Sequence, residues 1–200
     1  MIHKVIALCK ERDVTLTTYI HDQSEQGKFQ IEKRPAIIII PGGAYSFLSD
    51  TEGEPVALTF LKEGYNTFVL RYSVGDACTY PEILEEVSLA IWQVRSHAEE
   101  WHINPEAIVV MGFSAGACLA AMSATQWNTP GLAERLGLTP EDIKPNAGVI
   151  AYAPLGQHQY DSGKIRNSII RKRRRSQRLV HPNWIYQLCR PTYAAFVHLA

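Results

Sequence analysis

No apolar run in the 200-residue sequence approaches the ~20 residues that a membrane-crossing helix requires, and the N-terminus lacks the apolar core of a secretory leader. A cytoplasmic protein with no membrane partner is the resulting expectation. Cysteine is scarce as well: Cys9, Cys78, Cys118 and Cys189 form no C-x-x-C pair and no spacing that would frame a disulfide scaffold or a zinc site. Free thiols, with no metal and no cofactor, are expected. Carboxylates are nearly missing from one region. Residues 161–200 hold nine Lys+Arg but a single acidic residue, Asp161, whereas residues 1–160 hold 11 against 19.

What is present fits one ordinary globular domain, with 46% hydrophobic and 20% charged residues. The expected organisation is residues 1–160 as the N-terminal part of a single α/β domain, followed by an atypical basic tail over 161–200. The run Arg171–Arg175 could bind nucleic acid, but no aromatic interleaving or binding fold accompanies it, so a solvated or disordered segment is the preferred reading. Poor order is expected from about Asp161 to Arg178.

The pattern alternates strand and helix. Val14, Leu16 and Tyr19-Ile20 suit a β-hairpin region, with polar turn material from His21 to Lys28. Ala36–Ile40, flanked by Pro35 and Pro41, is a β-branched run of the kind buried on both faces of a parallel sheet. Val56, Ala57, Phe60 and Leu61 recur at helical spacing, Gly64 supplies a stop, and Thr67–Leu70 reads as the next strand. A helix marked by Ile83, Val87, Ala90, Ile91 and Val94 follows, then the strand Ala107–Met111, a small-residue helix over 115–125 and a strand over 148–152. Such alternation predicts an open, mostly parallel sheet with right-handed crossovers.

Two glycine motifs lie at strand ends. Gly112-Phe113-Ser114-Ala115-Gly116 has the G-x-S-x-G form, preceded by a strand and followed by a helix. A serine lifted onto so sharp a turn takes a strained backbone, and the neighbouring chain comes too close for side chains at Gly112 and Gly116. The helix behind it aims free N–H groups and its positive end at the site, which assigns the Ala115 N–H to an oxyanion hole. Gly42-Gly43-Ala44, directly after an earlier strand, is where further donors belong, Gly43 and Ala44 being the candidates. The plainer alternatives are a tight turn at Gly42-Gly43 and close helix packing around a surface serine.

These motifs, with Pro41–Ser49, Glu52-Gly53-Glu54-Pro55, Leu70–Val74 and Tyr80-Pro81, resemble the acetylesterase and acetyl-xylan-esterase-like lipases of the α/β-hydrolase superfamily. The likeness covers about Asp13 to Pro154. It implies an α/β-hydrolase fold with helices on both faces of the sheet, and hydrolysis of small acyl esters through an acyl-enzyme on Ser114. Family members use a later aspartate and histidine to activate the serine, in the order Ser, Asp, His. Pro41 stands where related lipases have histidine.

The chain ends before the family's later strands and helices, so the triad acid and histidine stay unassigned. Downstream of Ser114 are Glu134, Glu141, Asp142, Asp161, His158, His181 and His198, none in a recognisable triad setting; His3, His21, His97 and His102 precede it. Two alternatives therefore stand beside the esterase: a silent, truncated hydrolase fragment, and a serine peptidase of a related family. The change in composition near residue 155 also raises the expectation that the last forty residues come from a shifted reading frame. Oligomeric state is left open.

Overall fold

A computed structural model describes residues 1–23, 31–154 and the backbone of 196–198. Its centre is a sheet in the order β1-β2-β4-β3-β5-β6-β7. The strands are β1 (Val5–Cys9), β2 (Val14–Tyr19), β3 (Arg34–Ile40), β4 (Asn66–Arg71), β5 (Ile103–Phe113), β6 (Ala147–Ala151) and β7 (Phe196–His198). β4, β3, β5 and β6 run parallel, and antiparallel neighbours flank them at both edges.

The parallel centre follows from side chains that are apolar on both faces. Ile38, Ile40, Phe68, Leu70 and Val110 point into one core, shared with α2 (Glu82–Ser96) and α3 (Ala115–Gln126). Ile37, Ile39 and Val69 point to the other, under α1 (Glu54–Lys62). α1 stops where the sequence expects. Gly64 takes φ 95°, its N–H donates to the Leu61 carbonyl, and the Tyr65 N–H reaches back to Phe60, which satisfies carbonyls the helix end would otherwise leave open. α3 is buried on nearly every side, and its small residues allow it to press onto β5 and β6. Two single-turn helices, α4 (Leu132–Arg135) and α5 (Pro140–Ile143), occupy the Pro/Gly-punctuated connection to β6.

The early hairpin is β1 with β2, turning over Lys10–Asp13, and most of the polar stretch expected over His21–Lys28 lies outside the described residues. β1 escaped notice because Val5–Cys9 has β-branched residues only at Val5 and Ile6. The expectations for the tail fall on residues 155–195, 199 and 200, which lie outside the described residues. β7 pairs antiparallel with β6 from Ala147 to Val149.

One charged group is fully enclosed. Glu86 on α2 accepts hydrogen bonds from the Ser73 N–H (2.8 Å) and hydroxyl (2.6 Å), and Arg12 Nε lies 3.2 Å from it as an ion pair. Burial nevertheless pushes its carboxyl above the usual range, against the pull of Ser73 and Arg12. A raised folded-state pKa means that the unfolded chain gives up this proton first, so the contribution to stability is full below the ordinary carboxylate pKa and is lost as pH rises from there through the raised folded-state value. Denaturant midpoints of the wild type and Glu86→Gln, compared from pH 4 upward, should show the wild type losing ground to the variant as pH rises. A gap that widens in favour of the wild type would contradict this.

Candidate functional site

β5 delivers Ser114 to the C-terminal end of the sheet, and α3 begins at the next residue. Ser114 adopts φ 50° and ψ −114°, a conformation that costs a non-glycine residue free energy and is kept only where surrounding structure enforces it. The enforcement is steric and hydrogen-bonded. A Cβ on Gly112 would lie 2.1 Å from the Gly116 carbonyl oxygen, and one on Gly116 would lie 2.0 Å from the Ile40 carbonyl oxygen. The Ser114 N–H donates to Ala151 O at the end of β6 (3.1 Å).

β3 lies beside β5, with Ile40 opposite Gly112, so the loop that leaves β3 emerges against the elbow. A Cβ on Gly42 would meet Glu52 Oε2 at 2.7 Å, the Phe113 carbonyl oxygen at 2.8 Å and Ser114 Cβ at 2.9 Å. Gly43, Ala44 and Tyr45 all have positive φ, which coils the loop so that the Ser46 and Phe47 N–H groups bond to Gly43 O and the Ser49 N–H to Gly42 O. The Gly42 N–H is taken by Glu52 Oε2 (2.6 Å). The N–H groups of Gly43, Ala44 and Ala115 donate to no other described residue. Tyr45 OH anchors the loop to Ala115 O (3.2 Å), and Tyr72 OH bonds to Pro41 O (2.7 Å).

Two residues that sequence reasoning missed complete this end of the sheet. Glu52 accepts from Gly42 with one carboxylate oxygen and from the Tyr152 hydroxyl with the other. Tyr152 has φ 40°, its ring lies 6.0 Å from that of Phe113, and although most of the side chain is exposed, partial desolvation and the hydrogen-bonded Glu52 carboxylate push its phenol up to about 12. The only sequence signal for Glu52 is its place in the Glu52-Gly53-Glu54-Pro55 motif; Tyr152 carried none beyond ending a strand.

The described histidines lie elsewhere. His102 lies at the opposite end of β5 from Ser114: its carbonyl accepts from the Arg34 N–H, and β3 runs from Arg34, opposite Ile103, to Ile40, opposite Gly112, a span of about 20 Å at ~3.3 Å per residue. His97 stacks on Trp101 and bonds to Gln93 O, His3 to Thr18 O and His21 to Leu61 O. His198 pairs with Ala147, about 13 Å along β6 from the Ala151 that holds Ser114, at ~3.3 Å per residue. Glu134 is on α4. Asp142 caps α5 through Thr139, which lowers its carboxyl pKa. His158, His181, Asp161 and Arg171–Arg175 fall outside the described residues. Among the described residues, no group of His, Cys, Asp and Glu could hold a metal ion, Cys9, Cys78 and Cys118 form no disulfide and no helix is long and apolar enough to cross a membrane.

The BD-FAE family profile matches residues 25–171. The chain belongs to the BD-FAE family. That family is one of α/β hydrolases, in agreement with the resemblance read from the motifs. An acetylxylan esterase from Xylanibacter ruminicola is 33% identical over 132 residues, covering 64% of this chain and 24% of its own. Among solved structures, MGS-M1, an α/β-hydrolase enzyme from a Medee basin deep-sea metagenome library, is 39% identical with a TM-score of 0.68, over 80% of this chain and 60% of that one. An acetyl ester-xyloside bifunctional hydrolase from Caldicellulosiruptor lactoaceticus is 25% identical with a TM-score of 0.68, over 93% of this chain and 68% of that one. The chain spans about a fifth to a quarter of the length of the curated relatives it matches.

Proposed function

We propose that this BD-FAE chain is a serine hydrolase of the esterase type that cleaves small acyl esters, acetyl esters foremost, through an acyl-enzyme on Ser114. The observation that carries the reading is the strained Ser114 at the strand-to-helix turn, with the Gly42 loop packed against its Cβ. Ser114 Oγ attacks the ester carbonyl, and the carbonyl oxygen, now negative, takes hydrogen bonds from the Gly43, Ala44 and Ala115 N–H groups. Donors fixed in advance by the fold need no reorganisation when the charge develops, and each is worth ~10²–10³ in rate where this has been tested by mutation. The hydroxyl proton passes to a base and on to the alkoxide, which leaves as the alcohol when the acyl-enzyme forms, and water then attacks the acyl-enzyme to release the acid and restore the serine. The partner is a small-molecule ester, no cofactor is required, and the compartment read from the sequence is the cytoplasm. Residues 1–160 act in this reading as the N-terminal part of one hydrolase domain, with 161–200 as a basic tail.

A second reading, a silent fragment with the elbow but no base, is supported by one observation: every described histidine lies away from Ser114. Treating the chain with a fluorophosphonate and mapping the adduct by peptide mass spectrometry tests the first reading. The expected result is one adduct, on Ser114. An adduct on another serine sinks the assignment, and no adduct at all favours the silent fragment.

A further inference from the structure

Glu52 is a carboxylate set against an oxyanion loop, where a free negative charge would oppose the chemistry. Its oxygens are not free. One accepts the Gly42 N–H at 2.6 Å, a short charge-assisted bond, and the other accepts the Tyr152 hydroxyl. Glu52 Oε2 and Ser114 Cβ both lie within 3 Å of the point where a Gly42 Cβ would stand, so the carboxylate and the nucleophile share one small volume. The two partners come from different places in the fold. Gly42 opens the loop after β3, and Tyr152 follows β6, next to the Ala151 carbonyl that holds the Ser114 N–H. Tyr152 pays for its place with a positive φ, the kind of strain that is retained when a side chain must be aimed.

We propose that Glu52 is a positioning residue of the ester-cleaving site, its carboxylate turning the Gly42 N–H inward, away from the oxyanion, and so aligning the next two N–H groups, while Tyr152 holds its second oxygen. The inference rests on the esterase reading. With the Gly42 N–H committed to Glu52, the peptide planes that follow are constrained, and Gly43 and Ala44 keep N–H groups with no other described partner. The Tyr152 hydroxyl is the donor to the second oxygen, and its pKa is shifted upward, away from deprotonation.

The substitutions separate this from a merely structural role. Glu52→Gln keeps an oxygen for Gly42 and can offer its amide N–H to the Tyr152 hydroxyl oxygen, whereas Glu52→Ala offers neither. Pre-steady-state hydrolysis of 4-nitrophenyl acetate gives the number of competent sites from the burst amplitude and their quality from the acylation rate constant. Glu52→Ala should keep the amplitude and lower the rate constant by ~10–100-fold, below the full loss of an oxyanion donor, with KM within about threefold. Glu52→Gln should recover most of the rate, and Tyr152→Phe should lose a fewfold. Equal rate constants in wild type and Glu52→Ala, or a loss confined to the amplitude, would overturn the proposal.

A readout independent of turnover distinguishes the two readings. In a ¹H–¹⁵N spectrum the Gly42 amide proton should lie far downfield and move upfield in both Glu52 variants, with the Gly43 and Ala44 amides shifting most in Glu52→Ala. If wild type and Ser114→Ala are equally slow toward the ester while these shifts occur, the esterase reading falls for this chain and the alignment of the loop by Glu52 stands. Unmoved Gly42, Gly43 and Ala44 amides in Glu52→Ala sink the alignment itself.

Discussion

Gly116→Ala should cost the protein at least ~3 kcal/mol, the upper end of what overpacking produces, because the new methyl has nowhere to go. Its carbon would lie 2.0 Å from Ile40 O and 2.5 Å from Pro41 O, both backbone atoms of the adjoining strand and loop, so no side-chain rotation relieves the clash. Relief requires α3 and β3 to part, and the residues between them, Ile40 and Ala115, are buried. For a domain with only ~5–15 kcal/mol of stability, such a loss lowers the thermal midpoint by roughly 10 °C or prevents folding. Gly75→Ala provides the comparison. It adds the same methyl at φ 63° with no heavy atom within 4 Å, so it bears only the left-handed backbone penalty of about 1–2 kcal/mol. Circular dichroism melts of the two variants and the wild type decide it. Equal midpoints for Gly116→Ala and the wild type would mean that the elbow is looser than described.

Ser114→Ala should abolish acyl transfer and leave the melt unchanged. The substitution removes a single oxygen from a side chain whose backbone is held by Gly112, Gly116 and the Ala151 carbonyl, none of which it touches. Loss of the nucleophile alone should lower the rate of aryl-acetate hydrolysis by ~10³-fold or more, with a residue of catalysis from the oxyanion hole. A variant that keeps more than about a tenth of the wild-type rate would place the nucleophile elsewhere. The pairing is informative because the first substitution acts on the frame and the second on the chemistry.

Much of the frame was legible in the sequence. β3 and β4 announce themselves through apolar runs buried on both faces and β5 through the β-branched run Ile108–Val110, buried on one face and half-buried on the other, and the glycines at 42, 43, 112 and 116 mark places where backbone meets backbone. The order of two strand-end motifs was enough to expect them side by side, since neighbouring parallel strands deliver their loops to the same edge. β1 was not legible, because Val5–Cys9 has β-branched residues only at Val5 and Ile6 and its partner is a Thr-rich strand across a four-residue turn. Glu52 and Tyr152 were not legible for a different reason. Their hydrogen bond joins residues a hundred positions apart, and nothing local to either one requires the other.

The pairing of Ile40 with Gly112 has a kinetic consequence. Neither the loop after β3 nor the turn after β5 can take up its working shape until two segments some seventy residues apart have met, and closing so long a loop is among the slower events in folding. The helices can form early and locally, but the loop after β3, with the Gly43 and Ala44 N–H groups proposed as donors, cannot be set by them alone. Competence should thus emerge as one of the last events of refolding, after the helical signal is already complete.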